Sequence, residues 1–421
     1  MLLPRIEPED LIASQHAGLP PEVKAAANDI VSRVRAGGEE AVWELALQFK
    51  EREPGESLYL DSGEMQRHLG ALNDTDRDRL ERIAGRIRAF AAAQRDALEL
   101  VAVDVPGGSA GHSIDPVERA GCYAPGGRYP LPSSVLMTAI TARVAGVESV
   151  WVASPRPAPI TIAAAALSGA DGLLAVGGAH AIAALAYGVG PVPPSDIVVG
   201  PGNEYVTAAK QIVSADVAID MLAGPSELVV VGDSTSNPSL VAADMLAQAE
   251  HDVRAVPILV TNDEDLIATV ESELEHQLTD LPTAETAKRG LANGGCILCK
   301  DSDEAADVCN ELAPEHLQLS ITDADSMLPK LKHYGAVFVG ERSAEVFGDY
   351  GVGPNHVLPT GRTARATGGL SVFDFLRIRT WIRSDTTRSL DDLVVDSAWL
   401  ARQEGLEAHA RAAEARRSTK S

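Results

Sequence analysis

Five short stretches of this 421-residue chain hold polar side chains whose types and spacing suit chemistry. LAQAEHD, 246–252, sets Gln248 and His251 three residues apart in an apolar run, so on a helix both fall on one face. NELAPEHLQL places Glu315 beside His316, directly after Pro314 and flanked by leucines. FGDYGVGPNHVLPT carries Asp349 and His356 among glycines, LAGPSELV carries Ser226 next to Glu227, and EGLEAHA carries Glu404 and His409 near the C-terminus. Each alone has an ordinary structural reading: a helix cap for Glu315, a turn aspartate for Asp349, a solvated helix face for Glu404 and His409. As a set they ask for more, because Gln, His, Asp and a further His supply four nitrogen or oxygen donors suited to a borderline divalent cation such as Zn2+. Loops are also where a scaffold presents chemistry.

The elements that must position these residues alternate between short apolar runs and helical stretches. GCYAP, SVWVAS (149–154), GLLAV (172–176) and DIVVG (196–200) are each followed by a Gly- or Pro-rich turn and a helix-like segment, the pattern of a parallel sheet wrapped by helices. ELVVVGD (227–233), PILVT (257–261), CILC (296–299) and AVFVG (336–340) form a second such set. The fold class is therefore α/β: two Rossmann-like parallel-sheet domains with helical N-terminal and C-terminal extensions. The expected division is an N-terminal extension over 1–24, a discontinuous first α/β domain over 25–118 and 227–370, an inserted Rossmann-like domain over 119–226, and a helical C-terminal dimerisation tail over 371–421. Three strand ends of the inserted domain open into glycine turns, APGGRYP, VGGAHA and VGPGNEY. Such turns at helix starts bring backbone N–H groups to an anion, and three in one sheet favour a nucleotide-sized one, although none is a GxGxxG or a Walker loop. Gln248 and His251 fall near the C-terminal end of the helix that starts at Asn237-Pro238, whereas ligands of parallel sheets gather at the opposite edge; this places the site at a junction of domains or of subunits.

Composition narrows the partners. Sixty acidic against 36 basic residues give a formal charge of −24, which repels nucleic acid and anionic membranes. The acidic, lysine-poor balance fits a salt-rich cytosol and an ordinary soluble acidic enzyme equally well. Cys296 and Cys299 form a CxxC, but within GGCILCK successive side chains alternate faces, so a core role is expected; Cys122 and Cys309 stand alone. MLLPRIEPEDLIAS has no uninterrupted apolar core of the signal-peptide kind, and no apolar run is long enough to span a bilayer, so a cytoplasmic protein is expected.

In chain order, GCYAPGG, VGGAHAIAALAYG, GPGNEYVTAAK, IDMLAGPSE, ADMLAQAEHD, APEHLQL, GDYGVGPNHVLPT and EGLEAHA closely resemble the signature segments of the histidinol dehydrogenase family, from about Gly121 to His409. The resemblance implies an NAD-dependent, zinc-containing homodimer that oxidises L-histidinol through the aldehyde to L-histidine with two NAD, the last steps of histidine biosynthesis. It implies that Gln248, His251, Asp349 and His409 bind zinc, His409 reaching in from the neighbouring subunit. It makes Glu315 and His316 the catalytic acid/base pair, Tyr123, His180 and Asn203 the NAD contacts, and Ser226, His356 and Glu404 the substrate contacts, joined there by His316 and the zinc ligands. One position departs: the family usually has glutamine in GGAQAIAAL, where this chain has His180, whose imidazole N–H is also a donor. His316 titrates near neutrality and suits removal of the hydroxyl proton, Glu315 suits activation of the water that hydrates the aldehyde, and the metal suits holding the substrate's imidazole and amine. The rival readings are a dehydrogenase of the same family acting on another amino alcohol or a diol, and a nucleotide-binding regulatory module with an inert metal site. His356 and Glu404 favour histidinol over the first, and the Glu315-His316 pair favours an enzyme over the second.

Overall fold

Apolar runs such as Ile197–Val199 and Glu227–Gly232 are buried along their whole length, the mark of strands covered on both faces. The computed structural model, which describes residues 2–15, 18–126, 129–385 and 387–417, assembles these runs into two sheets. The first has six strands in the order Tyr59–Asp61, Gly172–Leu174, Ser149–Ala153, Arg119–Tyr123, Ile197–Val199, Ala218–Ile219. All run parallel except Tyr59–Asp61, which pairs antiparallel at one edge. The second has five parallel strands in the order Gly295–Leu298, Val256–Thr261, Glu227–Gly232, His316–Ser320, Ala336–Val339. The turn APGGRYP follows the first-sheet strand Arg119–Tyr123, with its Gly127 and Arg128 outside the described residues.

Both sheets belong to one compact unit, Met1–Gln94 with Val117–Phe375. Helix Pro21–Gln48 buries a stripe of Val23, Ala27, Val31 and Val34 and packs on helices Gly178–Tyr187 and Glu204–Val213 of the first sheet. Helix Ser62–Ala71 packs on Pro159–Ser168 of the same sheet. Residues 21–71 therefore attach to the 119–226 sheet, and not to the 227–370 sheet with which the sequence division groups them. The cause is apolar burial: Val23, Ala27, Val31 and Val34 share one core cluster with Ala179, Ala183, Ala208 and Ala209 of the first sheet's helices. Helix Asp74–Asp96 instead reaches the 346–353 segment, where Arg86 Nε donates to Gly351 O at 2.6 Å.

The second unit, Arg95–Pro116 with Leu376–Ser421, is an antiparallel sheet of Leu376–Ser384, Gly108–Pro116 and Ala102–Val105, followed by helices Asp391–Gln403 and Glu407–Glu414. The C-terminal segment, expected to be helical from 371, instead makes one short 3-10 turn, Val372–Phe375, and then a nine-residue strand before its helices. The strand's first half, LRIR, alternates apolar and polar residues at period two, and Ile378, Thr380, Trp381 and Ile382 are β-branched or aromatic, the composition of a strand.

Candidate functional site

In the two-sheet unit, a cleft of about 270 Å³ is lined from both sheets. Pro125, Pro201, Gly202, Asn203 and Ala223–Ser226 follow strands of the first sheet, so they stand at its C-terminal edge. Glu315 and His316 open the strand His316–Ser320, so they stand at the N-terminal edge of the second. Helix Pro238–His251, capped by Asn237 with Pro238 in its first turn, runs back from the far end of Glu227–Gly232 and delivers His251, its last residue, to that same edge. The two opposed edges account for the C-terminal end of a helix lining the cleft.

Glu315 and His316 are placed by a local break. Helix Ser302–Leu312 ends on Ala313, held at φ +45°, and Pro314 cannot continue it, so Glu315 and His316 are turned directly into the strand. Glu315 Oε2 accepts the backbone N–H of Glu227 at 2.9 Å, and burial, reinforced by the neighbouring acidic groups, holds its carboxyl well above the ordinary range. His316 Nδ1 lies 3.1 Å from Glu227 O; a carbonyl only accepts, so Nδ1 carries the proton and Nε2 the lone pair. Burial lowers its basicity, opposed most by Asp349. Nε2 is buried without a hydrogen-bond partner among the described residues, 3.6 Å from Glu345 Oε1 and 3.8 Å from Asp349 Oδ1.

Gln248, His251 and Asp349 line one adjoining hollow. Gln248 is 2% exposed, and its amide nitrogen has no hydrogen-bond partner among the described residues. Since amide nitrogen and oxygen exchange by a flip, the same side chain presents an oxygen donor there. Asp349 ends the short helix Val346–Asp349, and its backbone carbonyl accepts from His356 Nδ1 at 2.9 Å. His356 therefore keeps its lone pair on Nε2, 3.5 Å from Ser134 Oγ, and burial lowers its basicity. Ser226 and His356 line the cleft with His316.

Of the cofactor candidates, Asn203 faces the cleft: its Oδ1 caps the N–H groups of Tyr205 and Val206, which leaves the amide nitrogen for a ligand. Tyr123 and His180 are buried behind the same sheet edge. The Tyr123 hydroxyl accepts from Gly178 N–H at 3.1 Å, while His180 Nε2 meets Glu51 Oε2 at 2.9 Å and its ring stacks on Phe49. Glu404 and His409 belong to the second unit, exposed at the end of helix Asp391–Gln403 and on helix Glu407–Glu414 respectively.

Three acidic residues of this neighbourhood have no role in the sequence reading. Glu345, four residues before Asp349, is buried, and burial with the nearby Asp349 and Asp244 pushes its carboxyl up to about 9. His316, Glu345 and Asp349 bring one donor atom each within 4.8 Å of one another. Asp244 lies one turn before Gln248, and Glu227 supplies both backbone groups that hold Glu315 and His316. The i, i+4 spacings to Asp349 and Gln248 were the available signals for Glu345 and Asp244. All four cysteines are buried and free, as a core role requires. Among the described residues no helix is long and apolar enough to cross a membrane.

The family model for histidinol dehydrogenase matches residues 15–417. A histidinol dehydrogenase from Thermus thermophilus is 48% identical over 347 residues, 82% of this chain and 84% of that protein. One from Aromatoleum aromaticum is 41% identical over 414 residues, 97% of this chain and 94% of its own length. The crystal structure of histidinol dehydrogenase from Elizabethkingia anophelis superposes with a TM-score of 0.91 at 31% identity, covering 98% of this chain and 96% of that one.

Proposed function

The chain belongs to the histidinol dehydrogenase family, and we propose that it oxidises L-histidinol through L-histidinaldehyde to L-histidine with two NAD, in the cytoplasm, at the end of histidine biosynthesis. The observation that carries this reading is the convergence of Glu315, His316, Asn203 and Ser226 on one cleft, with Gln248, His251 and Asp349 beside it. The buried, unpartnered Gln248 amide next to an imidazole and a carboxylate fits a zinc ion, with the partner subunit's copy of His409 as the fourth donor. That ion, when bound, anchors the substrate's nitrogen atoms, while NAD, when bound, accepts a hydride in each oxidation.

Every other task falls to the chain. His316 Nε2, whose lone pair is fixed by the Nδ1–H bond to Glu227 O, takes the hydroxyl proton as the carbon loses hydride. Glu315, made strongly basic by burial, takes a proton from the water that adds to the aldehyde; the resulting hydrate loses a second hydride and becomes the acid. Ser226, His356 and Glu404 are proposed to orient substrate. Asn203 is proposed to donate to the cofactor, with Tyr123 and His180 shaping the same sheet edge from behind. The exposed Glu404 and His409 point to a homodimer in which each C-terminal segment completes the other subunit's site.

The test is direct: purified protein with L-histidinol and NAD is followed for NADH and histidine together. Two NADH per histidine are expected. Accumulation of aldehyde with one NADH, or preference for another amino alcohol, refutes the assignment.

A further inference from the structure

Behind the cleft lies an ion pair that the reaction does not use. Lys210, on helix Glu204–Val213, is 2% exposed, and its ammonium is bonded to the carboxylate of Asp220, also buried. Each partner also grips the backbone of one residue. Lys210 Nζ donates to Gly200 O at 2.9 Å, and Asp220 Oδ2 accepts Gly200 N–H at 2.8 Å. Gly200 has φ +118°, and a Cβ there would stand 2.0 Å from Tyr123 O, so the residue is confined by neighbouring backbone as well.

Gly200 opens the Gly200–Asn203 turn, and Asp220 opens the 220–226 segment; both run on into the cleft wall. The helix between them presents Asn203, Thr207 and Lys210 at helical spacing: Asn203 caps it, Thr207 Oγ1 donates to Ala223 O at 2.7 Å, and Lys210 holds Gly200. Burying two charges is a poor route to stability, because desolvation cancels much of their attraction. A pair that spends its remaining hydrogen bonds on one turn fixes geometry.

We propose that Lys210 and Asp220 are positioning residues that lock the cofactor-side turn Gly200–Asn203 in register with the substrate-side segment 220–226, so that the cleft is preformed for a dinucleotide. The proposal rests on the NAD-dependent reading above. Losing a charge-assisted hydrogen bond to the turn should weaken NAD binding roughly tenfold.

The experiment compares wild-type dimer with Lys210→Met, Asp220→Asn and the double variant, by NAD titration calorimetry and by steady-state kinetics with L-histidinol. Lys210→Met should raise both the NAD Kd and KM about tenfold while kcat at saturating NAD stays within about threefold, since Glu315 and His316 sit on the other sheet. The double variant should be no worse than Lys210→Met, because one latch is lost once. Should Lys210→Met fail to fold, Asp220→Asn, which keeps the shape, is read by the same split, with a rise of about threefold expected. A lowered Tm with NAD Kd within twofold of wild type overturns the latch, as does a loss of kcat at unchanged KM. If wild type itself neither binds NAD nor oxidises L-histidinol, the functional reading fails and the latch with it; variants that match a competent wild type defeat the latch alone.

Discussion

Asp244 offers the sharpest quantitative test of the site's electrostatics. It lies on the same face of helix Pro238–His251 as Gln248, 9% exposed, and burial pushes its carboxyl from 3.8 up to about 6. The sign follows from which form the folded state prefers. A raised carboxyl binds its proton more tightly folded than unfolded, so stability is full below pH 3.8 and is lost as pH rises through about 6. Above that window the displacement amounts to about 3 kcal/mol against the folded state, and at pH 4 to roughly 0.5 kcal/mol. Asp244→Asn keeps the shape and cannot ionise. Urea unfolding of chelator-treated protein should therefore show the variant more stable than wild type by up to about 3 kcal/mol at pH 7.5, with the gap closing by pH 4. Adding zinc should narrow the difference at pH 7.5, because a bound cation favours the ionised Asp244 of wild type. Equal stabilities across the pH range, or a variant less stable at pH 7.5, would refute the reasoning.

His251→Ala should lose bound zinc and activity together, as measured by metal analysis alongside turnover; a full complement of zinc in an inactive variant would show His251 to be no ligand. His316→Ala should slow alcohol oxidation by about two to four decades, whereas Glu315→Gln should slow chiefly the oxidation of added histidinaldehyde; equal damage to both half-reactions from Glu315→Gln would contradict the division of labour. When His251→Ala and His409→Ala chains exchange subunits, mixed dimers should regain activity approaching about a quarter of wild type, since half the dimers are mixed and each has one intact site; no recovery despite demonstrated exchange would remove the shared site.

What the sequence made legible is what obeys a short period. The strands beginning at Ser149, Gly172, Ile197 and Glu227 announce themselves as apolar runs closed by glycine or proline, and Gln248 with His251 reads as one helix face. The strand His316–Ser320 escaped notice as a strand although it lies between Glu227–Gly232 and Ala336–Val339. It opens on His316, which lines the cleft with Glu315, and Gln318 interrupts the rest, so the apolar signature is broken there. Leu376–Ser384 was hidden by its exposure, for Arg377, Arg379 and Arg383 break up the apolar run that marks the buried strands. Glu345, Asp244, Lys210 and Asp220 were illegible for another reason: acidic and basic residues are normally solvated, and only tertiary packing shows these four to be removed from water.

The opposed sheet edges give the two walls of the cleft opposite electrostatic character. Helices that follow strands of the first sheet begin at its C-terminal edge, so the amide nitrogen of Asn203 and the positive dipole end of helix Glu204–Val213 face the cleft. On the other wall helix Pro238–His251 finishes, and its last carbonyls supply a negative end beside Gln248 and His251, with Glu345 and Asp349 adding carboxylates. An anion is drawn to one wall and a cation to the other, which in the proposed reaction would set the cofactor and the metal on opposite sides of the substrate. Glu315 and His316, at the head of the strand between Glu227–Gly232 and Ala336–Val339, lie on the cation side, where burial keeps the imidazole neutral and the carboxyl strongly basic. In the proposed reaction a proton acceptor on that wall would face a hydride acceptor on the other, the arrangement that an alcohol oxidation requires.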